Sequence, residues 1–256
     1  MKNQRRFRSV PESGFSLIEL MIATLLFTTI AGITFALLGV SLKRYQGEKD
    51  YLNSFQQASV AMDQISRDVH SAGYPPANSY TTVTAGLNPT SVATPFAWMP
   101  GYLPPVPCTV GATCTVPGPY DLITEADLGD GNGVQWVRYS LQGTTLMRAV
   151  VPKAGGGADP VAATTAALIP YLDNVMNNAT AAQMATIKAG YPSMFPGNTA
   201  VPVFTYTVDA GAPLQPANIR EVNITLIVQS ARPDPDTNRL RVVLLTGQAA
   251  RINPNQ

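Results

Sequence analysis

From Leu20 to Leu42 the chain carries no charged side chain, and hydrophobic positions fall on every face of the helix such a run would form. At ~1.5 Å rise per residue this stretch spans a ~30 Å hydrocarbon core. After Lys43 and Arg44 the pattern changes. Tyr45, Leu52, Phe55, Met62, Ile65 and Val69 recur at steps near three, four and seven, which predicts one apolar stripe. Glu48, Asp50, Gln57, Gln64 and Arg67 point elsewhere. Gly73 suits a helix end, and Pro75-Pro76 cannot continue one. The pattern predicts a single helix from about Phe15 to Ala72, roughly 85 Å long. Its first half is hydrophobic all round and its second half amphipathic.

Beyond the helix, Asn78 to Pro119 is rich in Pro, Gly, Ser and Thr and reads as a long connecting loop. Alternation then takes over. Val134–Leu141, a turn at Gln142-Gly143, and a return from Thr144 to Val150 predict a β-hairpin. Pro152 to Pro160 is a Gly-rich break, and Leu168, Tyr171, Leu172 and Val175 suggest a short helical face. Gly190 to Pro202 breaks the pattern again. Val203–Val208 alternates as a strand. Arg220–Gln229 sets Val222, Ile224, Leu226 and Val228 on one face, and Arg239–Thr246 follows a turn through Pro233–Asn238. Strands at near-hairpin spacing predict an α+β fold, with an antiparallel sheet packed on the amphipathic half of the long helix.

The apolar run has a marked beginning. A short basic leader with Lys2, Arg5, Arg6 and Arg8 ends at Gly14; Phe15 follows, and Glu19 lies four residues further on, just inside the apolar segment. A carboxylate at membrane depth costs a few kcal/mol and calls for a partner or a function. A secretory signal peptide has a shorter apolar core, with its cleavage site after it. A plain anchor fits the length but leaves Glu19 and the Gly14-Phe15 junction without a reason. A buried helix of a soluble enzyme is rarely apolar on every face for so long.

Leader, glycine, phenylalanine and glutamate together resemble the type IV prepilin signal. The resemblance implies that a prepilin peptidase and methyltransferase cuts between Gly14 and Phe15 and N-methylates Phe15. It also implies that Glu19 pairs with the amino terminus of a neighbouring subunit in a filament, easing the burial of both charges. It divides the chain into a leader (1–14), a transmembrane or filament-core helix (15–42), the amphipathic half of that helix (43–73) and a β-rich head (74–256). Arg67–Tyr74, Val134–Arg148 and Asn218–Leu245 are similar to PilW-like minor pilins. The long insert between Asn174-Val175 and Phe204 departs from them. The expectation is a minor pilin acting in initiation or priming of filament assembly, a single-pass inner-membrane protein with its head in the periplasm that passes into the filament. Expected partners are other major and minor pilins, the inner-membrane assembly platform and membrane lipid. Rival readings are a J-type pseudopilin of a type II secretion system and a filament-displayed adhesin or DNA-uptake subunit.

Charge adds to this picture. Without the leader the chain has 13 basic and 15 acidic residues, a net charge of −2 that gives no general electrostatic case for nucleic-acid binding. Basic residues before the span outnumber Lys43 and Arg44 after it, which favours a cytoplasmic leader and an exported head. In an exported chain, Cys108 and Cys114 around a Gly-containing loop suggest a local disulfide, the other reading being two free thiols. A zinc site is not expected, because the single histidine, His70, lies far off on the predicted helix.

Other candidate chemistry is sparse. Glu125 to Gly133 is dense in oxygen ligands and glycine, and Asp127, Asp130 and Asn132 make a weak calcium candidate, but their spacing is not that of an EF-hand. An acidic turn before a strand is the simpler reading. His70 has no local nucleophile, and Gly155-Gly-Gly lacks the Lys-Ser/Thr of a phosphate loop. Trp136 and Tyr139 read as core or sheet-surface aromatics. No enzyme and no cofactor are expected.

Overall fold

The computed structural model describes residues 14–75, 92–99, 108–154 and 158–251. A first helix, α1, runs Leu17–Ser71. The chain divides into two compact units at Gln46/Gly47, and each is described by itself.

In the first unit α1 is a bare apolar rod. Its most apolar stretch has a mean hydropathy of 2.1 and none of it is buried within the chain, so by length and composition it can cross a membrane. The threonines in this stretch return their hydroxyls to the backbone. Thr24 donates to Leu20 O (3.0 Å), Thr28 to Thr24 O (2.9 Å) and Thr34 to Ile30 O (2.9 Å). Those hydroxyls are satisfied without water, as a hydrocarbon surrounding requires.

The second unit contains the rest of α1 and two antiparallel sheets. The first sheet orders β1 (Asp121–Asp127), β2 (Val134–Gln142), β3 (Thr145–Pro152) and β4 (Ile169–Leu172) side by side. The second orders β5 (Phe204–Val208), β6 (Ile219–Pro233) and β7 (Leu240–Ala250). Two short helices, α2 (Pro160–Thr165) and α3 (Ala181–Lys188), lie between strands in sequence. One core joins both sheets to the helix: Ala58, Ala61, Ile65 and Val69 of α1 meet Leu122, Val137 and Tyr139 of the first sheet and Val222, Ile224 and Leu226 of the second. The strand face expected from the alternation of β6 is thus the one that is buried. The α+β class, the long amino-terminal helix and the antiparallel strands match a type IV pilin-like fold.

Several expectations need correction. The apolar stripe on α1 holds in its second part, where Met62, Ile65 and Val69 are buried, but Tyr45, Leu52 and Phe55 are exposed, and Ser54, Ala58, Ala61 and Asp68 complete the buried face. Small side chains let the sheets approach closely. An added Cβ at Gly247 would lie 2.7 Å from Met62 Sδ, so any side chain there would displace Met62. Strand β1 begins just beyond the expected loop and runs into the stretch expected to be an acidic turn, while Leu168 to Val175 forms β4 and its exit instead of a helical face. Ile169, Pro170 and Leu172 are captured by pairing with β3, which outweighs the local helical period. The hairpin turn sits one residue later than expected, at Gly143-Thr144, because Gln142 pairs with Thr145. Gly143 has φ 57°, a conformation that costs glycine little at the first position of a two-residue turn.

Both faces of the first sheet are covered, which explains why eight of the nine β2 residues are buried. Val137 and Tyr139 face α1, while Trp136 and Ile123 face a second cluster with Trp98, Val116 and the cysteines. Cys108 and Cys114 form a disulfide across a sequence separation of six. A third cluster packs Met184, Ile187 and Phe195 of the insert on Ile227 and Val242.

Candidate functional site: the amino-terminal junction and the ion pairs of the head

Gly14, Phe15 and Ser16 precede the first turn of α1 and are exposed. Phe15 is 88% exposed, and a Cβ built on Gly14 meets no atom within 4 Å. Among the described residues nothing sterically requires glycine at position 14. A requirement for it would come from something that reads the junction from outside. Glu19 sits at the third helical position and accepts from Ser16 N–H at 3.1 Å, the half of a capping box in which an acid satisfies the N-cap amide. Its negative charge also lies at the positive end of the helix dipole. The carboxylate is exposed, with one backbone donor from its own chain and room for another.

The other candidates lie in the head. Asp127 Oδ1 accepts from Gly129 N–H (2.8 Å), and Asp130 Oδ1 accepts from Asn132 N–H (3.0 Å) and from Gln135 Nε2 (2.6 Å). Asn132 Nδ2 in turn donates to Asp130 Oδ2 at 2.9 Å. These are turn-forming bonds that lead β1 into β2, with Gly129, Gly131 and Gly133 at positive φ. Hydrogen bonds from Gln135 and Asn132 hold the exposed Asp130 carboxyl below the usual range. Among the described residues no three His, Cys, Asp or Glu side chains gather closely enough to hold a metal ion. His70 is exposed in the last turn of α1. The Gly155–Gly157 loop lies outside the described residues.

Sequence reasoning missed the charged groups inside the head. Asp68 of α1 is buried, accepts from Tyr139 Oη and from Arg148 Nη2 (3.0 Å), and so ties the helix to β2 and β3. Burial and the neighbouring Asp68 push the Tyr139 hydroxyl far above its ordinary value, so it remains a donor. Glu125 and Lys153 form an ion pair with both side chains fully buried. Glu125 also accepts from Ala93 N–H (2.8 Å) and Trp136 Nε1 (3.3 Å). On the outer face of β2, Arg138 grips Asp121 through Nε (3.0 Å) and Nη2 (2.6 Å), and reaches Thr165 Oγ1 on α2 (2.9 Å). The sequence does hold one hint of the first network. At 100° per residue, Asp68 falls on the same helix face as Ala61, Ile65 and Ala72.

In the β6–β7 turn, Asp234 accepts from Arg241 and from the Asp236 (2.9 Å) and Thr237 (3.0 Å) amides. These bonds, the Arg241 one foremost, lower its carboxyl to about 2. A depressed folded-state value stabilises above the unfolded value, about 3.9, and that stabilisation is lost as pH falls through the folded value. The turn should therefore weaken between about pH 4 and pH 2, and Asp234→Asn should remove that part of the acid dependence. Carboxyl NMR on Asp234 checks it; titration near pH 4 would contradict the bonding seen.

The family model described as the prokaryotic N-terminal methylation motif matches residues 11–35, the stretch that holds Gly14, Phe15 and Glu19. Motif and fold together are those of a type IV pilin-like or pseudopilin-like protein, and the motif implies processing by a prepilin peptidase and association with pilins. Neither the curated proteins nor the solved structures contain a match to the chain.

Proposed function

We propose that the chain is a minor pilin of a type IV pilus, of the PilW-like kind, acting in the initiation or priming of filament assembly. The observation that carries this reading is the methylation motif placed on an exposed Gly14-Phe15 junction, with Glu19 one helical turn inside. Cleavage after Gly14 frees the amine of Phe15. In a filament core of low dielectric, that amine needs a counter-charge, and Glu19 of an adjacent subunit supplies it. In the isolated chain the same carboxylate caps its own helix, a bond it can keep with one oxygen while the other faces a neighbour. The helix is anchored in the inner membrane with its leader cytoplasmic and the head exported. The head, non-enzymatic in this reading, presents its loops and sheet edges to other subunits.

Mass spectrometry of the mature protein should find Phe15 at the amino terminus with one added methyl group. Replacing Gly14 by a bulkier residue should leave full-length precursor. Normal maturation of that variant would sink the reading. Glu19→Leu should be processed and inserted normally yet enter assemblies poorly, because loss of one partner of a buried pair costs ~3–5 kcal/mol. Cross-linking to partner pilins, normalised to membrane level, measures this. Undiminished cross-linking with normal piliation would remove the assembly role of Glu19.

A further inference from the structure

The insert between Asn174 and Phe204 packs α3 and the loop after it on the outer face of β6 and β7, and leaves a trough along the seam. Three overlapping depressions of about 470, 340 and 160 Å³ make up this trough. Met176, Ile187 and Leu240 line one end of it, with Gln229 beside them. Tyr191 and Arg239 line the other. The Tyr191 hydroxyl oxygen accepts from Val242 N–H at 3.3 Å, and its own proton has no acceptor among the described residues.

Arg239 differs from most of the head's arginines. Arg138, Arg148, Arg220, Arg232 and Arg241 each meet a carboxylate. Arg239 is exposed, spends one donor on Ala189 O at 3.2 Å, and makes no ion pair among the described residues. The remaining donors of its guanidinium fork suit a carboxylate. We propose that this trough binds an extended acidic peptide segment of a partner protein. A carboxylate of the segment sits on Arg239, and an adjacent apolar side chain covers Ile187 and Leu240. An inorganic anion or a sugar acid would satisfy the cation but leave the apolar end of the trough in water. A peptide alternating acidic and apolar residues satisfies both ends. The proposal does not depend on the filament reading, since it concerns only the insert and the second sheet.

Fluorescence anisotropy on the full chain in detergent tests it, with a labelled hexapeptide of alternating glutamate and leucine as the probe. The expected result is saturable binding that weakens about tenfold when glutamine replaces glutamate in the peptide, and by as much in Arg239→Glu. Arg239→Lys should retain part of the affinity, since a point charge replaces the fork. Arg239 is exposed, so these variants should fold, and an unchanged unfolding midpoint confirms that. The proposal is overturned by equal binding of the two peptides, by indifference to Arg239→Glu, or by no binding at millimolar protein. Competition by free glutamate or glucuronate as effective as by the peptide would also overturn it, because the apolar end would then contribute nothing.

Discussion

Lys153→Met should destabilise the head by about 3–5 kcal/mol, the cost of leaving one charge of a buried pair without its partner. Both side chains of the Lys153–Glu125 pair are fully buried, so water cannot replace the lost ammonium. Methionine keeps most of the aliphatic packing, so the loss reports on the charge. Burial raises the Glu125 carboxyl and Lys153 opposes that rise; without the lysine the carboxyl should rise further. A folded value raised above the unfolded one, about 4.3, destabilises at high pH and is relieved as pH falls toward the unfolded value. The defect of Lys153→Met should therefore shrink on acidification. Glu125→Leu combined with Lys153→Met should recover much of the stability, since an apolar pair has no charge to desolvate. Urea unfolding followed by Trp136 fluorescence measures all three. A single-variant loss below about 1 kcal/mol would mean that the pair is reached by water.

The second large effect is expected from Asp68→Ala, about 3 kcal/mol, because it removes the acceptor shared by Tyr139 and Arg148. Arg148 is partly exposed and can turn to solvent, which sets the cost below that of the fully enclosed pair. Tyr139→Phe should cost less, as it removes one donor and leaves the Asp68–Arg148 bridge in place. Because Asp68 lies on α1 and its partners on β2 and β3, the loss should also loosen the packing of this helix segment on the first sheet. Hydrogen exchange at Ile65 and Val69 should speed up in Asp68→Ala and stay near native in Tyr139→Phe. Equal protection in both variants would show that apolar packing alone holds the segment.

The extent of the amino-terminal helix was legible in the sequence. A run without charge that is long enough to cross a membrane favours a helix apolar on all sides, since a helix pairs its backbone groups within the segment. The signal at Gly14, Phe15 and Glu19 is equally local: its residues lie within six positions and need no tertiary context to be recognised. Gly73 and the prolines after it end the helix near the expected residue, at Ser71. The alternation of β6 also identified its buried face correctly, because a long central strand between two neighbours leaves its side chains only two directions.

Only the tertiary structure decided the rest, and in each case the reason is that the deciding partner is distant in the chain. The face of α1 that meets the sheets was read correctly at Met62, Ile65 and Val69 but not at Leu52 and Phe55, because large side chains dominate a hydrophobic pattern. Close packing instead selects small ones, Ala58 and Ala61, with Gly247 of β7 opposite Met62. Strand β4 was hidden because four residues carry too little local signal, and pairing with β3 determined their form. Glu125 looked like part of an acidic loop until Lys153, 28 positions away, enclosed it. Nothing local in the sequence joins Asp68 to Arg148, 80 positions away. Local pattern determines which elements form and where they begin. Which charges are buried, and against what, is settled when elements distant in the chain exclude water from between them.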